Sequence, residues 1–401
     1  MSDDLFDGLK VLDVGSWIAG PVAGTILADY GADVIKVEMP GVGDAYRNLS
    51  ETAIVPDAAT NYMWDMDARN KRSLSLNLKT KEGIKILHRL IEQCDVYITN
   101  QPFPLRDRLR LNYEEIKVLN PSMVYASLSA YGEAGPDKDR ESFDLVAYWA
   151  RSGLADLVRD NNAFPAPALP GMGDHPSAVT LYASIVTALL KRERTGEGSM
   201  VHTSLLANGL WSASCIAQAA FVGGDYSQYR ELASKRRFPR TMLGTADERH
   251  FIMSMVRTPQ EVVSLLASLG LSVLLQDERF QTPETRFTHN DLFYEALQAR
   301  MQMEPAVYWQ QQFEHHKVPA YLVGLIEEMV DDPQVLVNKM AVAPNDASIG
   351  GKIISHPINI DGMPKRGPEK APSLGEHNAE ILSALGFSPD QLAQWYRDGV
   401  I

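Results

Sequence analysis

Apolar residues in the first half of the chain fall into short runs separated by amphipathic stretches. Leu9–Val14 is a compact apolar run with β-branched members and predicts a strand. Gly15–Gly20 reads as a turn. Pro21, suited to the first turn of a helix, opens a helix to about Tyr30, with Gly31 as its stop. Ala32–Glu38 is the next strand, which makes a parallel, right-handed β-α-β unit. The alternation continues with a strand over Ser73–Leu78 and a helix from the Thr80 cap to Gln93. Ile84, Ile86, Leu87, Leu90 and Ile91 form the apolar face of that helix. Strands at Asp95–Thr99 and Val124–Ser129 bracket a helix at Tyr113–Leu119. Alternating strands and helices predict an α/β sheet.

Further on, Arg159–Pro176 is rich in Pro, Gly and Asn and predicts a long loop, a class of segment that is often functional. Helices are predicted at Ser177–Arg194 and Leu205–Val222. Residues 223–245 are polar and basic and read as a linker into a second domain. That domain has a strand near 250–255 and helices near 258–269, 290–302 and 304–314. A strand at Ile349–Ile354 and helices at Glu376–Leu385 and Pro389–Tyr396 close the chain.

Composition narrows the function. Among 401 residues the 51 acidic side chains outnumber the 38 basic ones, a net charge of −13 that argues against a nucleic-acid coat or a membrane-surface protein. The two cysteines, Cys94 and Cys215, form neither a disulfide framework nor a CxxC zinc motif. The start, Met1-Ser2-Asp3-Asp4-Leu5, lacks the basic and apolar regions of a secretory leader, so a cytoplasmic protein is expected. Leu205–Gly224 is uncharged but broken by polar residues and glycines, and reads as a buried helix rather than a membrane span.

Three features carry candidate chemistry. Gly15, Gly20 and Gly24 between strand and helix resemble a dinucleotide turn, but the spacing is not GxGxxG, so the unit reads foremost as scaffold. Arg69, Lys71, Arg72, Lys79, Lys81, Arg106, Arg108 and Arg110 are basic groups that either hold phosphates or form a solvated face. Asp174 follows Gly171, Met172 and Gly173 at the end of the long loop. There it serves either as a helix cap or as a carboxylate nucleophile toward an activated acyl group, with neighbouring amides available to an oxyanion. The histidines are scattered, and no Ser/His/Asp set or metal site is evident from spacing.

Several segments in order resemble the family III (CaiB/BaiF-type) CoA-transferases. They are Leu12-Asp13 through Ala19-Gly20-Pro21, Ala32–Glu38, Asn70–Ser73 with Leu76–Thr80, Asn120-Pro121, Tyr131-Gly132, Gly173-Asp174, Arg194–Gly198 and Leu374–His377. The resemblance spans nearly the whole chain. It implies a Rossmann-like large domain built from both chain ends (1–222 and 336–401), a smaller α+β domain (223–335), and an interlocked homodimer. It also implies that Asp174 is catalytic, attacking the donor thioester and carrying CoA as an aspartyl thioester to the acceptor acid. By similarity to the formyl-CoA transferases, CoA contacts fall on Ile18, Ala19, Leu76, Lys79, Asn100, Arg108 and Leu109.

In those relatives a Gln often stands where this chain has Ile18, and a Tyr where it has Phe143. Trp17, Phe143, Gly171, Met172 and Gly173 then outline an apolar acyl pocket. The implied ligands are an acyl-CoA donor and a carboxylic acid acceptor, with coenzyme A as a substrate moiety and no permanently bound cofactor. Two other readings compete. An α-methylacyl-CoA racemase needs two proton-transfer groups, and Phe143 occupies the place of its His. A non-catalytic acyl-CoA-binding protein would not need Asp174.

Overall fold

The computed structural model describes residues 4–159, 163–233 and 235–401. Contacts divide the chain into two units. The first comprises Met1–Val158, Pro165–Phe221 and Gln334–Ile401, and the second Arg159–Phe164 and Val222–Pro333.

The first unit is organised by six parallel strands: β1 (Lys10–Asp13), β2 (Asp33–Glu38), β3 (Arg72–Ser75), β4 (Val96–Thr99), β5 (Val124–Ser129) and β6 (Ser199–Ser204). Their order is β3-β2-β1-β4-β5-β6. Successive residues on a strand face opposite sides of the sheet. Val11, Val96, Ile98, Val124 and Ala126 therefore pack on one face against Ala23, Ile26, Leu181 and Ile185. Leu12, Tyr97 and Tyr125 pack on the other against Leu87 and Ile91. Both faces are covered, as a parallel sheet requires.

The helices of this unit include α1 (Ala19–Asp29), α2 (Tyr62–Ala68), α3 (Lys81–Ile91), α4 (Phe103–Leu109), α5 (Tyr113–Ile116), α6 (Leu154–Val158), α7 (Asp174–Thr195) and α8 (Leu205–Ser212), followed by Ser214–Phe221, Asn378–Ala384 and Pro389–Arg397. A π-helical turn covers Leu145–Ala150. The C-terminal segment returns to the β3 edge. Asn378 Oδ1 accepts from the Ser75 amide at 2.9 Å, and the Val400 carbonyl accepts from the Asn77 amide at 2.8 Å. Ile381, Leu382 and Ile401 join the core beside β3.

The second unit has a three-stranded antiparallel sheet of Leu243–Gly244, His250–Ile252 and Tyr321–Leu322. Helices Pro259–Ser268, Asn290–Met301 and Ala306–His315 bury Leu265, Phe293, Leu297, Trp309 and Phe313 with it. Among the described residues no helix is long and apolar enough to cross a membrane.

Two expectations are corrected. The helix expected from Ser177 starts at Asp174, because Pro176 sits in the first turn, where a missing N–H leaves no bond unmade. The single helix expected over Leu205–Val222 is two, Leu205–Ser212 and Ser214–Phe221. Ser212 Oγ donates back to the Asn208 carbonyl at 2.9 Å just before the break, a contact that competes with the regular ladder. Part of the loop expected over Arg159–Pro176, residues 160–162, lies outside the described residues.

Candidate active site

A 3-2-1-4-5-6 sheet opens a crevice at the carboxyl ends of β1 and β4, where successive connections turn in opposite directions. The loops leaving these strands are tied together there. Ser16 donates its amide to Asn100 Oδ1 at 2.8 Å, and Asn100 Nδ2 donates to the Ser16 carbonyl at 2.7 Å. A side chain at Gly15 would crowd Asn100 Oδ1 at 3.1 Å, so the close approach uses that glycine.

Trp17 follows with φ 63°, a left-handed conformation that costs a non-glycine residue about 1–3 kcal/mol unless its surroundings enforce it. The enforcement is visible. Its amide donates to both oxygens of Asp44, at 3.0 and 3.1 Å. Asp44 also pairs with Lys36 Nζ at 2.9 Å, and Lys36 donates to the Gly15 carbonyl at 3.0 Å. Lys36 stands opposite Asp13 in the β1–β2 register, and Asp13 pairs with Lys71 at 2.9 Å. Burial opposes the charge on Lys36, but the Asp13 and Asp44 carboxylates hold its ammonium above the usual lysine range.

Two cavities flank this turn. One, of about 520 Å³, is lined by Trp17, Ala19, Asn100, Tyr131, Phe143, Val146, Asp174 and Leu205, with Lys138, Arg140 and Glu141 along it. The Trp17 and Phe143 rings meet edge to face, with centroids 5.3 Å apart. The other, of about 260 Å³, is lined by Val37, Leu76, Leu78, Lys79, Leu105 and Leu109. Ser16, Trp17 and Gln101 line both.

Asp174 is the first residue of α7, and Gly173 rather than Asp174 is its cap. The half-buried carboxyl is placed by Gly173, whose amide donates to Asp144 Oδ2 at 2.9 Å. That amide is therefore spent and does not serve the oxyanion the sequence suggested. A Cβ at 173 would lie 2.5 Å from Tyr148 Cγ, so only glycine fits. Burial, then the nearby Asp144 carboxylate, push the Asp174 carboxyl up to about 7, against the pull of His175. The sequence pictured a fully ionised aspartate, whereas burial leaves this one titrating near neutrality.

His175 Nδ1 faces the Gly171 carbonyl at 3.0 Å and Nε2 faces Asp67 Oδ1 at 3.1 Å. Burial works against its charge, but the hydrogen bond to Asp67 and that carboxylate's charge push it up to about 9. Tyr46 Oη donates to the other oxygen of Asp67 at 2.6 Å.

The structure thus brings Trp17, Ala19, Asn100, Phe143 and Asp174 to one cavity, and Leu76, Lys79 and Leu109 to the adjoining one. Ile18 is packed in the core, and neither Ile18 nor Arg108 lines a wall of these cavities. Gly171, Met172 and Gly173 form the turn behind Asp174 rather than the wall. The basic cluster divides. Arg69 and Lys71 are neither solvated nor open to phosphate, being buried against Asp29 and Asp13, whereas Lys79 and Arg108 are exposed. Sequence reasoning missed Asp67, Tyr46 and Asp44. No motif marks them, and only their burial beside charged partners singles them out.

Residues 6–378 match the description of CoA-transferase family III. The chain belongs to CoA-transferase family III and is a transferase of the EC 2.8.3 type. It is 28% identical over 396 residues to (R)-2-hydroxy-4-methylpentanoate CoA-transferase of Clostridioides difficile, covering 97% of each chain. It is 28% identical over 397 residues to succinyl-CoA:glutarate CoA-transferase of Homo sapiens, covering 98% of this chain and 89% of that one. Among solved structures it resembles a CaiB/BaiF family protein from Brucella suis, with a TM-score of 0.83 and 26% identity, over 96% of this chain and 100% of that one.

Proposed function

We propose that Asp174 is the covalent nucleophile of CoA transfer between carboxylic acids. The carrying observation is that Asp174, at the head of α7, opens onto a cavity that shares Ser16, Trp17 and Gln101 with a second one at the ends of β2 and β3. Acyl chemistry fits the first cavity and the CoA moiety fits the second.

In its ionised form the Asp174 carboxylate attacks the donor thioester carbonyl. The C–S bond breaks, leaving a mixed anhydride and CoA thiolate. The thiolate attacks the aspartyl carbonyl, releasing the donor acid and forming an aspartyl-CoA thioester. The acceptor carboxylate attacks that carbonyl and expels thiolate. The thiolate then takes the acceptor's acyl group, and Asp174 is regenerated. Atoms and charge balance without an external acid, base, metal or oxidant.

Leu76, Leu109 and the exposed Lys79 are the contacts assigned to CoA, with Lys79 acting as a point charge for a phosphate. Trp17, Phe143, Val146 and Leu205 supply an apolar wall for the acyl chain. Exposed Trp211 and Phe221, on helices of the first unit, support an assembly of two chains in which these side chains are covered.

The test is a mass-spectrometric assay with acyl-CoAs and a panel of carboxylic acids, followed by peptide mapping. CoA appearing on the acceptor, with hydroxylamine-sensitive mass on the Asp174 peptide, supports the reading. Full turnover in Asp174→Ala overturns it.

A further inference from the structure

The ring of His175 has an oxygen at each nitrogen. Nδ1 lies 3.0 Å from the Gly171 carbonyl and Nε2 lies 3.1 Å from Asp67 Oδ1. A neutral imidazole has one N–H and one lone pair, so either tautomer would aim a lone pair at an oxygen. Only the doubly protonated ring satisfies both contacts.

The second contact is itself fixed. Asp67 is 3% exposed. Its other oxygen accepts from Tyr46 Oη at 2.6 Å, and its backbone carbonyl accepts from Thr25 Oγ1. A buried carboxylate needs a compensating cation. The buried ammonium of Lys71 is committed to Asp13 and the Pro21 carbonyl, at 2.9 and 2.7 Å. His175 meets the need instead.

The arrangement bears on the neighbouring carboxyl. Asp174 is influenced by Asp144 from the π-helical turn, by Asp67 from α2, and by His175 from its own helix. Two of these three groups are anions that disfavour ionisation of Asp174.

We propose that His175 is a positioning residue: an imidazolium held by Asp67, itself fixed by Tyr46, that keeps the Asp174 carboxylate available as a nucleophile beside the Asp67 and Asp144 carboxylates. This rests on the reading of Asp174 as nucleophile, but the charge coupling can be measured without turnover. The Gly171 carbonyl sets the ring's orientation, and the left-handed turn at Gly171, φ 78°, brings that carbonyl round to it. A Cβ at 171 would lie 2.9 Å from His175 Nδ1, so this turn also needs the absence of a side chain.

Two measurements on the whole protein without substrate test it. The first follows histidine C2-hydrogen exchange by mass spectrometry in the unaltered protein. A His175 midpoint above pH 8 supports the proposal, and one at or below 8 overturns it. The second follows carbodiimide labelling of Asp174, which reports the protonated carboxyl, across pH. Relative to the unaltered protein, His175→Gln should move the Asp174 midpoint upward by about one pH unit. His175→Lys, which restores a cation, should move it back. Identical midpoints in all three overturn the proposal. Persistent transfer by Asp174→Asn would instead sink the functional reading, and it would leave the measured coupling between the two side chains intact.

Discussion

Ser16 and Asn100 exchange two hydrogen bonds across the point where the strand order reverses, at 2.8 and 2.7 Å. The pair fastens the loop after β1 to the loop after β4, and both cavities are built on that junction. Asn100→Ala removes both bonds. It should cost about 1–3 kcal/mol of stability through the unpaired Ser16 groups. It should also raise KM for acyl-CoA more than it lowers kcat. Calorimetric melting and steady-state kinetics check the two parts separately.

If Asp174 is the nucleophile proposed above, it should set the pH dependence. Burial and Asp144 push its carboxyl up to about 7, and in the proposed reading the ionised form is the nucleophile. Below that value the rate of the first half-reaction should fall roughly tenfold per pH unit, and above it the rate should level off. Single-turnover release of CoA from an acyl-CoA donor between pH 5 and 9 measures this. A rate that declines as pH rises from 6 to 8 would contradict the assignment.

Gly173→Ala places a methyl group 2.5 Å from the Tyr148 ring. The ring or the turn must move, at a cost of about 1–3 kcal/mol typical of overpacking. Displacement of the turn should also remove most of the transferase activity. The double variant Gly173→Ala/Tyr148→Ala should recover part of the lost melting temperature, a pattern that separates the clash from loss of glycine flexibility.

Lys79 lines the second cavity and is exposed. Lys79→Ala should weaken CoA binding about tenfold, within the range of hydrogen bonds to charged groups. Isothermal titration with CoA provides the measurement. Arg108→Ala is the informative companion, because Arg108 lines neither cavity and its effect should be smaller.

A folded particle of two 44.4 kDa chains is expected in solution, with no folded monomer on dilution. Sedimentation across a wide concentration range checks this. A stable, active single chain would refute the assembly.

Part of the sheet was legible because four of its strands carry a compact apolar run. β1, β2, β4 and β5 lie where that pattern placed them. α2 and α4 were not legible. Tyr62–Ala68 and Phe103–Leu109 span seven residues each, too short for a helical period to separate from noise, and Asn61 or Pro102 starts them locally. Asp174 was visible as a glycine-preceded acid, but its neighbours were not. Asp67 and Asp144 act on it from two separate segments, and Tyr46 from a third holds Asp67; a linear pattern carries no trace of such convergence. The fate of the basic residues was ambiguous for a similar reason. Lys71 and Lys79 look alike in the chain, and only the sheet decides that one is buried against Asp13 while the other meets solvent.

The buried run from Lys71 through Asp13 and Lys36 to Asp44 ends on the amide of Trp17. Dissolved ions screen exposed charges beyond about 8 Å at 0.15 M but scarcely reach pairs enclosed in protein. Added sodium chloride should therefore loosen the phosphate contact proposed for Lys79 while leaving the Trp17 turn in place. A salt series that weakens CoA capture without altering the tryptophan fluorescence or the melting temperature would separate recognition from architecture in one titration. The chain thus keeps its cations in two electrical environments, one answering to the medium and one insulated from it.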